Sequence, residues 1–185
     1  TIQNYFKSNH LFTIEIGCGN GDYSTELAKK FPGRNFIGID VKGARVFHGA
    51  MNALEAKLDN VAFIVGKAEK LSDIFPLKSI EEIFIPFPDP HIRRANHNRR
   101  LISPTFLNTF REILIESGLV HFKTDNKGLF EYALKTISDF GGKILNATDN
   151  FYDNVDLKTN SAIMTFYEKH YIKDGRKIFY ICFKF

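Results

Sequence analysis

Leu11-Phe12-Thr13-Ile14-Glu15-Ile16-Gly17-Cys18-Gly19-Asn20-Gly21-Asp22 decides the fold of this chain. An apolar run ends in three alternating glycines, and a helical pattern over Asp22–Phe31 follows, stopped by Pro32-Gly33. Glycine permits the tight turn from strand to helix and lets a ligand approach the backbone closely. The spacing is Gly-x-Gly-x-Gly, and the third position of a dinucleotide fingerprint is occupied by Asp22. A negative residue at the mouth of a helix repels a pyrophosphate, which ordinarily seeks a helix N-terminus. A nicotinamide dehydrogenase is therefore the weakest reading. Glu15 and Asp22 suit a ligand with positive charge and no phosphate, and S-adenosylmethionine carries a sulfonium and an ammonium. Asp40 closes the next strand, where a carboxylate can accept two hydrogen bonds from ribose hydroxyls.

Outward from that turn, strands and helices alternate. Asn35–Ile39, Val61–Val65, Glu82–Ile85, Leu119–Lys123, Lys143–Asn146 and Lys177–Phe185 read as strands. Between them fall helices over Gly43–Leu58, from Ser103-Pro104 to about Ile115, and over Gly128–Phe140. The expected apolar face of the second helix is Val46, Phe47, Ala50, Met51, Leu54 and Leu58. Ser103 reads as an N-cap with proline at the first helical position. The pattern predicts an α/β fold with a mostly parallel sheet and helices on both faces. Asn146–Asn160 is the longest polar connection.

The 185 residues fit a single domain, 1–185, and the start at Thr1 leaves room for an N-terminal arm ahead of it. The composition, 44% hydrophobic and 25% charged, is that of a globular protein. Cys18 and Cys182 match neither a metal-ligand spacing nor a disulfide framework, which fits a reducing cytoplasm. No run of 18 apolar residues suggests a membrane span, and no His/Cys/Asp/Glu spacing suggests a metal.

Ile85-Pro86-Phe87-Pro88-Asp89-Pro90-His91 leaves the fourth strand. Proline fixes its own φ and extends the residue before it, so Asp89 is held on a stiff loop. His91 to Arg100 then carries four arginines, two histidines and no acid. Its formal charge equals the +4 of the entire chain. A rigid acid beside an isolated basic patch suggests a site for an anionic polymer. Arg93, Arg94, Arg99 and Arg100 are expected at phosphates, with the alternative that Arg99 and Arg100 pair with acids and fix the loop.

Four motifs together resemble a known family. They are Glu15-Ile16-Gly17-Cys18-Gly19-Asn20-Gly21, Pro88-Asp89-Pro90 with Arg99-Arg100-Leu101, Phe122-Lys123-Thr124-Asp125-Asn126, and Thr165-Phe166-Tyr167-Glu168. Their order is that of the bacterial-type tRNA (guanine-N7-)-methyltransferases. The resemblance implies a class I S-adenosylmethionine-dependent methyltransferase, Rossmann-like, with a mostly parallel seven-stranded sheet and an antiparallel last strand. It implies an enzyme that methylates N7 of a guanosine in the variable loop of tRNA; the cysteine usage puts that enzyme in the cytoplasm, and monomer and homodimer both stay open. Glu15, Gly17, Gly19, Gly21, Asp40 and Asp89 would bind the donor, and Asp89 would be catalytic. Arg93, Asp125, Thr165 and Glu168 would contact the tRNA. The chain departs from the family at His91-Ile92, where Trp-Pro is usual, at Arg93 in place of lysine, and at Lys67-Ala68 in place of Asp-Ala. Glu69 is the nearby acid that could substitute there.

The chemistry agrees with this expectation. Guanine N7 carries a free lone pair and no proton, so its methylation needs no general base, and the fourth strand lacks the Asn/Asp-Pro-Pro-aromatic loop used on exocyclic amines. Positioning, worth roughly 7–11 kcal/mol, should dominate. Asp89 would orient the target and stabilise positive charge moving onto the purine, its plain alternative being a turn carboxylate that caps the next segment. One carboxylate, Asp125 or Glu168, could accept both N1–H and the N2 amino group of guanine, and would face a lone pair in adenine. For Glu168 the plain alternative is a solvated acid paired with Lys169 or Lys173. Two rival functions stay open: a methyltransferase of a small molecule or protein, and a non-catalytic RNA-binding subunit.

Overall fold

The computed structural model describes residues 2–6, 10–153 and 166–185. Helix α1 (Ile2–Phe6) precedes strand β1 (Phe12–Ile16), all five of whose residues are buried. A strand covered on both faces has no polar side, so its sequence is an apolar run and not an alternation. Then follow α2 (Asp22–Lys30), β2 (Asn35–Asp40), α3 (Gly43–Glu55), β3 (Val61–Val65), α4 (Leu71–Ile74) and β4 (Ile80–Pro86). The second half contains α5 (Pro104–Ile113), β5 (Leu114–Thr124), α6 (Lys127–Asp139), β6 (Lys143–Thr148), α7 (Phe166–Lys173) and β7 (Phe179–Lys184).

The seven strands form one sheet in the order β3-β2-β1-β4-β5-β7-β6. All pairs are parallel except those of β7, which runs antiparallel to both β5 and β6. The expected antiparallel last strand is therefore present, inserted one place from the edge. Along β4, Ile83 and Ile85 join one buried cluster with α5 and α6, while Phe84 joins another with Tyr23 and Leu27 of α2. Successive side chains of a strand point to opposite faces, so helices cover both sides. The chain leaves β1 in one direction for β2 and β3, then returns to β4 on the other side. That reversal opens a crevice at the carboxyl ends of β1 and β4.

Two local expectations are corrected. In α3 the buried residues are Val46, Gly49 and Ala53, whereas Phe47, Met51 and Leu54 are exposed. The helix lies so close to the sheet that a Cβ on Gly49 would meet the Phe63 ring at 2.9 Å, so small residues form the packed face. Ser103 does sit at the N-cap of α5, with Pro104 first in the helix, but makes no side-chain cap. Its hydroxyl donates instead to the Asn98 carbonyl at 3.1 Å and ties the basic segment to the helix. Among the described residues no helix is long and apolar enough to cross a membrane.

Candidate active site

The glycine turn lies in the crevice. Gly17, Gly19 and Gly21 have φ of 78°, 54° and 74°, a region that costs other residues steric strain. A Cβ on Gly17 or Gly19 would meet nothing within 4 Å, so both backbones border open space. Asp40 is fixed by the backbone. Its Oδ2 accepts the Gly19 N–H and its Oδ1 the Lys42 N–H, both at 2.9 Å. A carboxylate offers about four lone-pair sites, so two remain for ligand hydroxyls.

Glu15 is almost wholly buried. Its Oε2 accepts the N–H of Ser24 at 3.0 Å and the Ser24 hydroxyl at 2.5 Å, which locks β1 to α2. Burial pushes its carboxyl up to about 8, against the lowering effect of the Ser24 bonds. Ser24, invisible to motif reasoning, is the partner that sets this group.

The proline loop is pinned at both ends. The Phe87 N–H donates to the Lys123 carbonyl at 2.8 Å, and Arg100 Nε donates to the Pro90 carbonyl at 2.9 Å. Phe87 and His91 flank the Pro88-Asp89-Pro90 unit with φ of 51° and 40°, strain of order 1–3 kcal/mol each. Asp89 accepts the His91 N–H at 2.9 Å, yet its side chain is 71% exposed toward the crevice. The turn-cap role and a free carboxylate face thus coexist in one residue.

Asp125 and Glu168 differ sharply. Asp125, at the carboxyl end of β5, is paired with Arg176 Nη1 at 2.8 Å. Arg176 in turn stacks on Tyr171 at 4.9 Å. Glu168, expected at the base or in solvent, is fully buried against the Lys123 ammonium at 3.0 Å and the Tyr152 hydroxyl at 2.7 Å. Lys123 lies 4.0 Å from the Phe151 ring centre, and burial pushes its pKa down against the opposing pull of Glu168. The lysine that meets it is Lys123 of β5, and the side chain of Lys169 lies outside the described residues. Thr165 lies outside the described residues.

The arginines do not form one surface. Arg93 and Arg99 are exposed. Arg94 opens the short turn Arg94–Arg99, and its side chain lies outside the described residues. Arg100, expected at a phosphate, is only 7% exposed. It donates to the Pro90 and His91 carbonyls and stacks on Tyr132 at 4.3 Å, because the loop turns it inward against α6. It fixes the loop through carbonyls, not acids. Lys67 and Glu69 are exposed.

These elements enclose one pocket of about 690 Å³, with Glu15, Gly17, Gly19, Asp22 and Asp40 at one end. Asp89, Asp125 and Tyr171 stand at the other, with Phe87 and Pro88 between. The open glycine floor and the acids fit a cationic nucleoside without phosphate. Lys67 and Glu69 are not among the lining residues, while Val41, Lys42 and Arg45, which the motifs did not single out, are.

Residues 9–181 match a family model described as a putative methyltransferase. The tRNA (guanine-N(7)-)-methyltransferase of Christiangramia forsetii is 43% identical over 183 residues, covering 98% of this chain and 82% of that protein. Its namesake from Cytophaga hutchinsonii is 39% identical over 183 residues, covering 98% and 83%. Among solved structures, the 16S rRNA methyltransferase KamB superposes with a TM-score of 0.72 at 14% identity, covering 99% of this chain and 91% of that one. An antibiotic-related methyltransferase gives 0.71 at 18% identity, covering 100% and 92%. The solved structures share the fold.

Proposed function

The chain belongs to the tRNA (guanine-N(7)-)-methyltransferase family, and we propose how its residues move a methyl group from S-adenosylmethionine to N7 of a guanosine in tRNA. One observation carries the reading: a single pocket has backbone-anchored acids at one end and the Asp89 and Asp125 carboxylates at the other. Gly17, Gly19, Asp40 and Glu15 hold the donor, Asp40 through its two remaining acceptor sites. When bound, the donor supplies a methyl group on a positively charged sulfur, open to displacement by the N7 lone pair. Asp125, oriented by Arg176, accepts the N1–H and N2–H of guanine and rejects adenine. Asp89 faces the base across the loop and stabilises the positive charge that the purine acquires. No residue has to take a proton.

Arg93, Arg94 and Arg99 meet phosphates near the target, and the target guanosine lies in the variable loop. Arg100 holds the loop. Glu168 acts as a positioning residue through Lys123, which follows Phe122 in β5 and lies two residues before Asp125. Cys18 and Cys182 are both free thiols, which supports a cytoplasmic setting.

Asp89→Asn tests the central role, since it removes charge and keeps shape. Turnover should fall about 10- to 100-fold, less than for an enclosed dipole because Asp89 is exposed, with donor affinity nearly unchanged. Unchanged turnover defeats the assignment.

A further inference from the structure

Across the proline loop from the methyl-transfer pocket lies a second concavity of about 560 Å³. Pro90 belongs to both. Asp125 and Asn126, consecutive after β5, face one each. We propose that this groove receives the base of a nucleotide adjacent to the target guanosine, stacked against Tyr132. The inference rests on the methyltransferase reading and adds a binding site to it.

Three observations carry the assignment. First, Tyr132 is a rigid platform. The buried Arg100 guanidinium lies 4.3 Å from its ring centre, and His97 meets it edge-on at 5.7 Å. Arg100 is itself hydrogen-bonded to the Pro90 carbonyl, so the ring rests on a residue anchored to the loop. Second, apolar side chains line the groove inside the most basic stretch of the chain. Ile92 is 79% exposed beside Pro90, flanked by the exposed Arg93 and followed by Arg99. The Lys127–Glu131 and Lys135–Asp139 pairs balance the charges of α6, so the excess cations belong to the loop side. Flat apolar walls with cations at the edge are how unpaired nucleotides are held, bases on rings and phosphates on arginine. Third, Asn126 spends its Oδ1 on the Leu129 N–H at 2.8 Å, which leaves the amide NH₂ to donate to a base edge. Continuity through Pro90 and this charge favour the strand that carries the target guanosine over a protein partner.

The test uses tRNA with 2-aminopurine placed on the 5′ or the 3′ side of the target guanosine. On binding the wild-type protein, fluorescence should be quenched at one of these two positions. Tyr132→Ala should abolish the quench and raise KM for tRNA about 10- to 100-fold, while Tyr132→Phe keeps both near wild type. Because Arg100 rests on Tyr132, a second variant fills the groove without touching that contact. At Gly128 an added Cβ meets only the Asn126 Oδ1, at 3.5 Å, so Gly128→Leu adds aliphatic bulk at the groove without adding a ring. It should raise KM more than it lowers kcat and remove the quench. Wild-type protein that makes N7-methylguanosine with neither flank quenched overturns the subsite and leaves the enzymatic reading intact. Wild-type protein that makes no N7-methylguanosine overturns that reading and the subsite with it.

Discussion

Replacing Lys123 by methionine should be among the most destabilising single changes in this protein. The side chains of Lys123 and Glu168 are 5% and 0% exposed, and their contact is 3.0 Å. Removing one partner of a buried pair strands the other charge, at about 3–5 kcal/mol. The Tyr152 hydroxyl, at 2.7 Å from Glu168, offsets part of this, so the lower end is expected. For a chain of this size each kcal/mol lowers Tm by about 2–4 °C, which gives a fall of roughly 6–12 °C. Lys123→Met with Glu168→Leu should recover most of the loss, because an apolar pair of similar volume avoids the desolvation of both ions. Urea unfolding of the three proteins measures these quantities. A single-variant loss below about 1 kcal/mol, or a double variant no better than the single, refutes this account of the Lys123–Glu168 pair. Glu168→Gln adds the functional arm, since it should lower turnover without changing the preference for guanosine over adenosine. A changed preference would place Glu168 on the base itself.

Glu15 predicts a pH dependence of opposite sign for stability and for donor binding. Its carboxyl, at about 8 in the fold against 4.5 ordinarily, stays protonated where the unfolded chain ionises. Its stabilising contribution is complete below pH 4.5 and is lost as pH rises through about 8. A cationic donor prefers the ionised form, so calorimetric affinity should rise over that upper range and the slope should vanish in Glu15→Gln; a slope that persists assigns the titration elsewhere. Arg176→Ala should lower guanosine selectivity about threefold to fivefold, the worth of a half-exposed pair, with partial rescue by Arg176→Lys; equal selectivity in all three would remove Arg176 from base recognition. Arg100→Lys keeps charge and loses the planar fork, so turnover should drop while the salt dependence of tRNA binding stays that of wild type; a shallower salt slope would restore Arg100 to the phosphate contacts.

What could be read in the sequence was whatever a single element encodes. The buried run Phe12–Ile16, the glycine turn and the alternation of strands with helices depend on neighbours in sequence, and they placed Glu15, Asp40, Asp89 and Asp125 at strand ends. What stayed hidden depends on residues far apart. Arg176 stands 51 positions from Asp125, and Glu168 stands 45 from Lys123. Arg100 looked like its neighbours until Tyr132 of α6 supplied the ring that draws it inward. Periodicity also misplaced the face of α3, since it credits large apolar residues and overlooks Gly49 and Ala53, which allow the close approach.

The two ends of the pocket are held by different means, and this divides what variation can change. At the donor end, backbone N–H groups fix the acids: Gly19 and Lys42 for Asp40, and Ser24 for Glu15, helped by its hydroxyl. Of these five residues only Ser24 and the two acids contribute side-chain atoms, so few substitutions can shift the donor. At the base end, Asp125 and Glu168 are set by side chains, Arg176 and Lys123, each paired across the junction of β5 with the C-terminal elements. A change in α7 or in the turn before β7 therefore reaches Asp125, the carboxylate proposed to read the base, without passing through Glu15 or Asp40. Selectivity for the purine should accordingly be the more easily altered property, and donor affinity the more resistant one.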